Sequence, residues 1–186
     1  MEIEVGVLFA DMRGYTAFAE EKPPEEVARL LNRFYAAATG VLCKQDALID
    51  KLVGDQVMAL FLTGLTGPGC CRKMASAGEG LLRAVGYGSG PGAWFPLGIG
   101  LDFGTAFVGT VGFGEVKDFT ALGDVVNTAA RLQGKAKPGQ LVISERVYQE
   151  VNGRYPGAQR VELELKGKSE PVPAHIVEIT PTITTR

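Results

Sequence analysis

Residues 3–10 read IEVGVLFA, a continuous apolar run that ends at Asp11 and is followed by the turn-like pair Arg13-Gly14. An apolar run of this length with β-branched side chains is typical of a strand buried on both faces of a sheet. Residues 23–26 then read PPEE, and proline and acidic side chains favour the first turn of a helix. Apolar side chains recur at helical spacing as far as Ala38, which predicts an amphipathic helix of about four turns.

Two further pairs of apolar segments, each separated by a short connector that contains glycine, predict two antiparallel strand pairs. The pairs are residues 48–53 with 57–62, which place Asp55 at the tip of a hairpin, and residues 95–101 with 105–111. Residues 112–118 are expected to form a loop, and Asp124 is expected to cap a helix that continues to Leu132.

The order of these elements, strand, helix, hairpin, helix, hairpin and helix, predicts an α+β fold. We expect a ferredoxin-like βαββαβ core with a C-terminal extension, built as one mostly antiparallel sheet that helices cover on one face. A chain of 186 residues is long enough for one such domain. We place this domain at residues 1–180 and expect a loose tail at residues 181–186.

Composition argues against several classes of function. Nineteen basic and 21 acidic residues give a net charge of -2, which leaves no electrostatic footprint for nucleic acid. The apolar segments are far shorter than the roughly 20 residues of a membrane span, and residues 1–4 are acidic where a secretion signal is basic. Three cysteines and one histidine argue against a disulfide framework, a histidine-dependent triad and a zinc cluster, and favour a reducing, cytoplasmic compartment.

Two carboxylates stand at predicted strand ends, because Asp11 closes the first strand and Asp55 lies at a hairpin tip. If both strands are central in the sheet, the two side chains lie at the same edge. Paired carboxylate oxygens suit hard divalent cations such as Mg²⁺, which assist reactions at phosphate. The alternative interpretation, an ordinary turn residue, stays open for either aspartate taken alone.

Residues 11–16, DMRGYT, follow a strand with a glycine-containing turn that can direct backbone N–H groups at a triphosphate. This segment matches neither the GxxxxGK[ST] nor the GxGxxG pattern. Asn127 and Arg131 lie four residues apart on one predicted helix face, where an amide and a permanently charged guanidinium can reach the same anionic centre. The alternative for this pair is a solvated helix face.

Three segments together resemble the catalytic domain of class III nucleotide cyclases, and the resemblance extends from Val5 to about Ile179. They are FADMRGYTAF at 9–18, KLVGDQVMALF at 51–61 and FTALGDVVNTAARLQGKAKPGQLVIS at 119–144. Three separated motifs in the right order are more specific than any one of them. The resemblance implies an enzyme that forms a cyclic nucleotide and pyrophosphate from a nucleoside triphosphate.

The same resemblance assigns roles to individual residues. It implies that Asp11, Asp55 and Met12 hold two Mg²⁺ or Mn²⁺ ions, that Asn127 orients the ribose and that Arg131 contacts the α-phosphate. The substrate-binding positions that it implies outside the base site are Met12, Gly14, Tyr15, Thr16 and Lys166, with Lys168 close enough to Lys166 to be confused with it.

The resemblance implies that Lys51 and Thr120 select the purine base of the substrate. Lys51 can donate to an acceptor nitrogen of adenine and Thr120 can accept from the exocyclic amine, whereas guanylate-forming relatives carry Glu and Cys at these two places. The Lys/Thr pair therefore indicates ATP, and it resembles a subgroup that bicarbonate often stimulates. Because a hydroxyl both donates and accepts, Thr120 discriminates less sharply than a carboxylate would.

Cyclase domains of this kind work as head-to-tail dimers, in which one chain supplies the two aspartates and the other supplies the base-selecting and transition-state residues. The resemblance therefore implies an adenylate cyclase that acts on ATP as a homodimer. Two alternatives stay open, a guanylate cyclase and a degenerate module that binds nucleotide or a partner domain without turnover. The degenerate module is motivated by Gly98, which stands where many relatives carry a phosphate-contacting arginine.

Overall fold

The computed structural model describes residues 1–179, so the expected tail at 181–186 lies outside the described residues. The strands are β1 (Glu2–Met12), β2 (Leu48–Val53), β3 (Gln56–Leu62), β4 (Leu97–Phe113), β5 (Val116–Leu122), β6 (Gln140–Ser144), β7 (Gln159–Leu163) and β8 (Val172–Glu178). The helices are α1 (Tyr15–Glu21), α2 (Pro24–Lys44), α3 (Thr63–Thr66), α4 (Cys70–Ala84), α5 (Asp124–Lys135) and α6 (Glu145–Glu150).

One sheet contains all of these strands, in the order β2-β3-β1-β4-β6-β8-β7, with β5 paired to β4. The strand pairs are antiparallel except β4 with β6. The first four strands lie in the order β2-β3-β1-β4, and the chain crosses between them through α2 and α4. This arrangement is the predicted ferredoxin-like βαββαβ core, and the later elements form the C-terminal extension.

The central strand β1 is buried on both of its faces, as its apolar run predicts. Leu8 and Ala10 pack in the core shared with α2 and α4, whereas Val7 and Phe9 pack with α5. Successive side chains of a strand point to opposite faces, so a fully apolar strand needs cover on both sides. The expectation that helices cover one face of the sheet is therefore wrong, because α5 covers the second face.

The predicted pair of strands at 95–101 and 105–111 is a single strand, β4, which runs through residues 102–104 without a turn. Pairing with β1 extends from Leu97 to Phe107 and supplies backbone hydrogen bonds throughout this stretch. That long-range pairing overrides the local turn signal of Asp and Gly. The predicted loop at 112–118 is also wrong, since β4 and β5 form a hairpin that turns at Gly114, whose φ is 62°.

Several helix boundaries differ from the sequence prediction. The helix α2 continues to Lys44, beyond the four turns predicted. Gly123 occupies the N-cap of α5 in place of Asp124, which is the first helical residue, and the helix continues past Leu132 to Lys135. Among residues 1–179, no helix combines the length and the apolar character that crossing a membrane requires.

Candidate active site

Asp11 and Asp55 are brought together by the pairing of β1 with β3. Asp11 lies opposite Gln56 in the register of these strands, and the backbone N–H of Met12 donates to the carbonyl of Asp55 at 3.1 Å. Asp55 occupies the turn between β2 and β3, so both carboxylates lie at one end of the central strands. The structure therefore places the two aspartates together at one edge of the sheet, as the sequence predicts.

The turn that carries Asp55 is held from the side by α2. Gly54 adopts a left-handed conformation with φ of 56°, and the Tyr35 hydroxyl donates to its carbonyl oxygen at 2.5 Å. Burial raises the pKa of the Tyr35 hydroxyl, and the nearby charges of Tyr15 and Asp55 act in the same direction. Nothing in the sequence pattern singles out Tyr35, because its role depends on how α2 packs over the turn.

The electrostatics at Asp11 are those of two acids held close together. Burial raises the pKa of the Asp11 carboxyl, the negative charge of Asp55 raises it further, and the Arg13 guanidinium opposes both effects. Arg13 Nη1 lies 3.4 Å from Asp11 Oδ1, and Nη2 donates to the carbonyl of Gln133. Gly98 leaves room for this guanidinium, since a Cβ there would lie 2.8 Å from Arg13 Nε.

The donor set at this edge fits a divalent cation. Two carboxylates with repelling charges are hard oxygen ligands whose mutual repulsion a cation removes. Residues 1–179 contain no group of three or more His, Cys, Asp or Glu side chains arranged for a metal ion. An ion held by Asp11 and Asp55 would complete its shell with other oxygens, which is the usual situation for Mg²⁺ on a phosphate substrate.

The glycine turn after β1 leads directly into a short helix. Met12 is buried, and Gly14 adopts φ of 77° as the N-cap of α1. Tyr15 and Thr16 are the first two residues of this helix, so their backbone N–H groups lie among those that have no partner within a helix. The helix α1 was not predicted from the sequence.

The two predicted base-selecting residues lie together within one chain. Lys51 Nζ contacts Asp118 Oδ2 at 2.5 Å and lies 3.5 Å from Asp50 Oδ2, and the Thr120 hydroxyl donates to the same Asp50 oxygen at 2.9 Å. The contact with Asp118 raises the pKa of Lys51 despite some desolvation. Asp50 and Asp118 were not predicted, because their contacts depend on how β2 and β5 approach one another.

The predicted transition-state residues lie on the open face of α5. Asn127 is exposed and Arg131 is half-buried, whereas neighbouring residues of the helix are packed against the sheet. The Arg131 guanidinium lies beside the tip of the β7–β8 connection, because a Cβ at Gly167 would be 3.1 Å from Arg131 Nη2. Lys166 is exposed at this tip, and Lys168 Nζ contacts Asp124 Oδ2 at 2.5 Å.

The predicted residues therefore form three clusters on one chain. The acidic cluster contains Asp11 and Asp55, the base cluster contains Lys51 and Thr120, and the third cluster contains Asn127, Arg131 and the turn at 166–168. Within residues 1–179, no hydrogen bond or ion pair joins Asp11 or Asp55 to a member of the other two clusters.

Comparison with known proteins identifies the family. The family described as "Adenylate and Guanylate cyclase catalytic domain" matches residues 2–178. The chain belongs to this family. The cyclase domain is 32% identical over 183 residues to "Adenylate cyclase" of Anabaena cylindrica, a match that covers 92% of this chain and 36% of that protein.

This cyclase domain resembles relatives named adenylate cyclase and relatives named guanylate cyclase. "Guanylate cyclase 32E" of Drosophila melanogaster is 30% identical over 174 residues, which cover 89% of this chain and 15% of that protein. The crystal structure of the adenylyl cyclase CyaB from P. aeruginosa has a TM-score of 0.83 and 27% identity, and covers 96% of this chain and 95% of that chain. The chain thus spans about a third or less of these two curated relatives, and it is a nucleotide cyclase catalytic domain with the matching fold.

Proposed function

We propose that this cyclase domain is an adenylate cyclase, which converts ATP to 3′,5′-cyclic AMP and pyrophosphate. The observation that carries the proposal is the pair of carboxylates, Asp11 and Asp55, held at one end of the two central strands. The Lys51 and Thr120 cluster supports adenine as the base, because it offers a donor beside a hydroxyl that can accept.

The acidic cluster serves the triphosphate. We assign Asp11, Asp55 and the backbone of Met12 to two Mg²⁺ or Mn²⁺ ions, which when bound lower the pKa of the ribose 3′-hydroxyl and neutralise phosphate charge. Gly14, Tyr15 and Thr16 bind phosphate oxygens through the backbone of the turn and the start of α1.

The third cluster serves the ribose and the reacting phosphorus. Asn127 orients the ribose, while Arg131 and Lys166 bind the phosphate oxygens that gain charge. The 3′-oxygen forms a bond to the α-phosphorus in line with the leaving group, the bond to the bridging oxygen breaks, and pyrophosphate departs. The proton of the 3′-hydroxyl passes to solvent.

The site requires two copies of the chain in this proposal. The acidic cluster of one copy faces the base cluster and the third cluster of its partner. The β4–β5 hairpin offers an apolar surface for association. Its exposed large apolar side chains are Phe107, Val111, Phe113, Phe119 and Leu122, and Phe113 is 94% exposed. A head-to-tail homodimer has two equivalent sites.

Product analysis tests the proposed activity. Purified protein is incubated with ATP or GTP and Mn²⁺, and the nucleotides are separated and identified. We expect cyclic AMP and pyrophosphate in equal amounts. Cyclic GMP as the main product would support a guanylate cyclase, and binding of ATP without turnover would support the degenerate module.

A matched pair of variants controls this experiment. Asp55→Ala should abolish turnover, by at least about a thousandfold, because one metal ligand is lost. Asp46→Asn removes a carboxylate at the other end of β2, where it pairs with Lys73 at 2.5 Å, and should retain turnover. Equal activity of the two variants would contradict the assignment of Asp55.

Two finer points belong to the same proposal. The thiols of Cys43, Cys70 and Cys71 are free, which accords with a reducing, cytoplasmic compartment. Stimulation by bicarbonate rests on the Lys51 and Thr120 pair alone. An unchanged rate on adding bicarbonate at constant pH would remove it.

A further inference from the structure

The buried carboxylate of Asp50 stands between the two residues of the base cluster. Its side chain is 0% exposed, although the backbone of β2 lies at the edge of the sheet. Oδ2 accepts from the Thr120 hydroxyl at 2.9 Å and lies 3.5 Å from Lys51 Nζ. Oδ1 is buried and has no hydrogen-bond partner among the described residues.

A β-bulge places Asp50 there. Ile49 pairs with Ala59 and Lys51 pairs with the adjacent Met58, so Asp50 is the extra residue of β2. In a regular strand neighbouring side chains point to opposite faces, and a bulge redirects one of them. The bulge lets Asp50 and Lys51 serve the same cluster. The hydrogen bond from Thr120 to Asp50 connects β5 with β2, two strands that are not paired in the sheet.

Asp50 determines the direction in which the Thr120 hydroxyl points. An ionised carboxylate only accepts hydrogen bonds, so the Thr120 hydroxyl donates its proton to the hydrogen bond with Asp50. The lone pairs of the Thr120 oxygen remain for a ligand, and no other donor reaches this oxygen within residues 1–179. The ambiguity of a hydroxyl, which can donate or accept, is thereby removed.

Lys51 completes the pattern as a donor. Its ammonium has three N–H bonds, of which one is directed to Asp118 and a second lies near Asp50. The third can donate to a ligand beside the acceptor of Thr120. The cluster thus presents one donor and one acceptor side by side.

We propose that Asp50 is a positioning residue for base selection, which makes Thr120 an obligate acceptor and so directs the site to 6-aminopurines and against 6-oxopurines. This inference rests on the proposed function in that it concerns the same substrate site. Adenine offers an acceptor at N1 and a donor at its 6-amino group, which complements Lys51 and Thr120. Guanine and hypoxanthine offer a donor at N1 and an acceptor at O6, so both contacts are mismatched.

The wild-type protein tests this arrangement by its choice among nucleotides. We measure the affinities of 3′-deoxy-ATP, 3′-deoxy-ITP and 3′-deoxy-GTP with Mn²⁺ by calorimetry; these nucleotides lack the attacking hydroxyl, so binding is read without turnover. The 3′-deoxy-ATP should bind at least about a hundredfold more tightly than 3′-deoxy-ITP, because two polar contacts are mismatched and the one at Thr120 is buried. Equal affinities would overturn the inference, since a hydroxyl free to rotate would serve either base.

The variant Asp50→Asn isolates the role of the carboxylate. A carboxamide can donate to Thr120 and so free the hydroxyl to donate to O6. We expect the preference for 3′-deoxy-ATP over 3′-deoxy-ITP to fall by about tenfold to a hundredfold. In a Thr120→Val background the same change should have no further effect on this ratio. Asp102→Asn, at another buried aspartate on the sheet, is the matched control and should keep the wild-type ratio.

The outcomes separate this inference from the proposed function. A preserved base ratio in a folded Asp50→Asn variant, with intact turnover of ATP, overturns the inference alone. Absence of turnover with ATP and GTP, together with the expected base ratio in binding, contradicts the cyclase proposal and supports the inference. If Asp50→Asn does not fold, the affinities of the wild type for 3′-deoxy-ATP and 3′-deoxy-ITP still test the inference, because equal affinities would overturn it.

Discussion

Replacing Asp102 by asparagine should stabilise the protein at neutral and alkaline pH. Asp102 lies on β4 opposite Val7 of the central strand and is 9% exposed. Burial raises the pKa of its carboxyl from 3.8 to about 6, against the lowering effect of Ser144 and of the Phe103 N–H, which donates to Oδ1 at 2.8 Å. The ionised form is therefore less stable in the folded protein than in the unfolded chain.

The size of the effect follows from that difference in pKa. At about 1.4 kcal/mol per pH unit, the rise to about 6 corresponds to about 3 kcal/mol of unfolding free energy. The folded protein binds the proton more tightly, so the protonated carboxyl contributes this stability in full below about pH 4, and the wild type loses it as pH rises from about 4 to about 6. Asparagine keeps an oxygen for the Phe103 N–H and has no charge to bury. The advantage of Asp102→Asn should grow from about 1 kcal/mol near pH 4.5 to about 3 kcal/mol at pH 8.

Urea unfolding at pH 4.5, 6 and 8, at one fixed protein concentration, measures this difference. Asp118→Asn, which removes an exposed carboxylate, serves as the control and should show a smaller dependence on pH. An Asp102→Asn variant that is equally stable or less stable than the wild type at pH 8 would refute the reasoning. A stabilisation that does not depend on pH would refute it as well, because the gain would then have another cause.

Three further predictions follow from the geometry. Mixing Asp55→Ala with Arg131→Ala, each inactive alone, should restore about one quarter of the wild-type activity, because half of the dimers then contain one intact site; no recovery would contradict a shared site. Gly100→Ala should destabilise the fold by about 3 kcal/mol or more in urea unfolding, because the new Cβ would lie 2.6 Å from Gln133 Cα and closer still to Gln133 N and Ala129 O in the backbone of α5. Tyr35→Phe should cost about 1 kcal/mol and raise the Mn²⁺ concentration for half-maximal activity, since the β2–β3 turn loses its hydrogen bond; Tyr148→Phe, which leaves that turn intact, should match the wild type in the same titration.

Much of the fold could be predicted from local patterns. The apolar run of β1 and the hairpin around Asp55 both follow from residues close together in sequence. The predicted strand boundaries were wrong where pairing with a strand distant in sequence overrides a local turn signal. The residues 102–104 have the composition of a turn, yet they continue β4 because β1 pairs along them.

The candidate site divides in the same way. Asp11 and Asp55 could be singled out because each follows or precedes a strong strand signal. Tyr35 and Asp50 could not be singled out, because a tyrosine on a helix and an aspartate before a lysine are common patterns. Their contacts, with Gly54 and with Thr120, span 19 and 70 residues of sequence.

The amino-acid sequence by itself determined the family, the α+β class of the fold and the chemical types available for catalysis, because these depend on short-range periodicity and on the motifs themselves. Tertiary structure alone decided that α5 covers the second face of the sheet and that β4 is unbroken. It also decided that a buried carboxylate contacts the hydroxyl of Thr120. The reason is physical, since the direction of a hydroxyl proton and the cover of a sheet face depend on which distant strands meet and in what register.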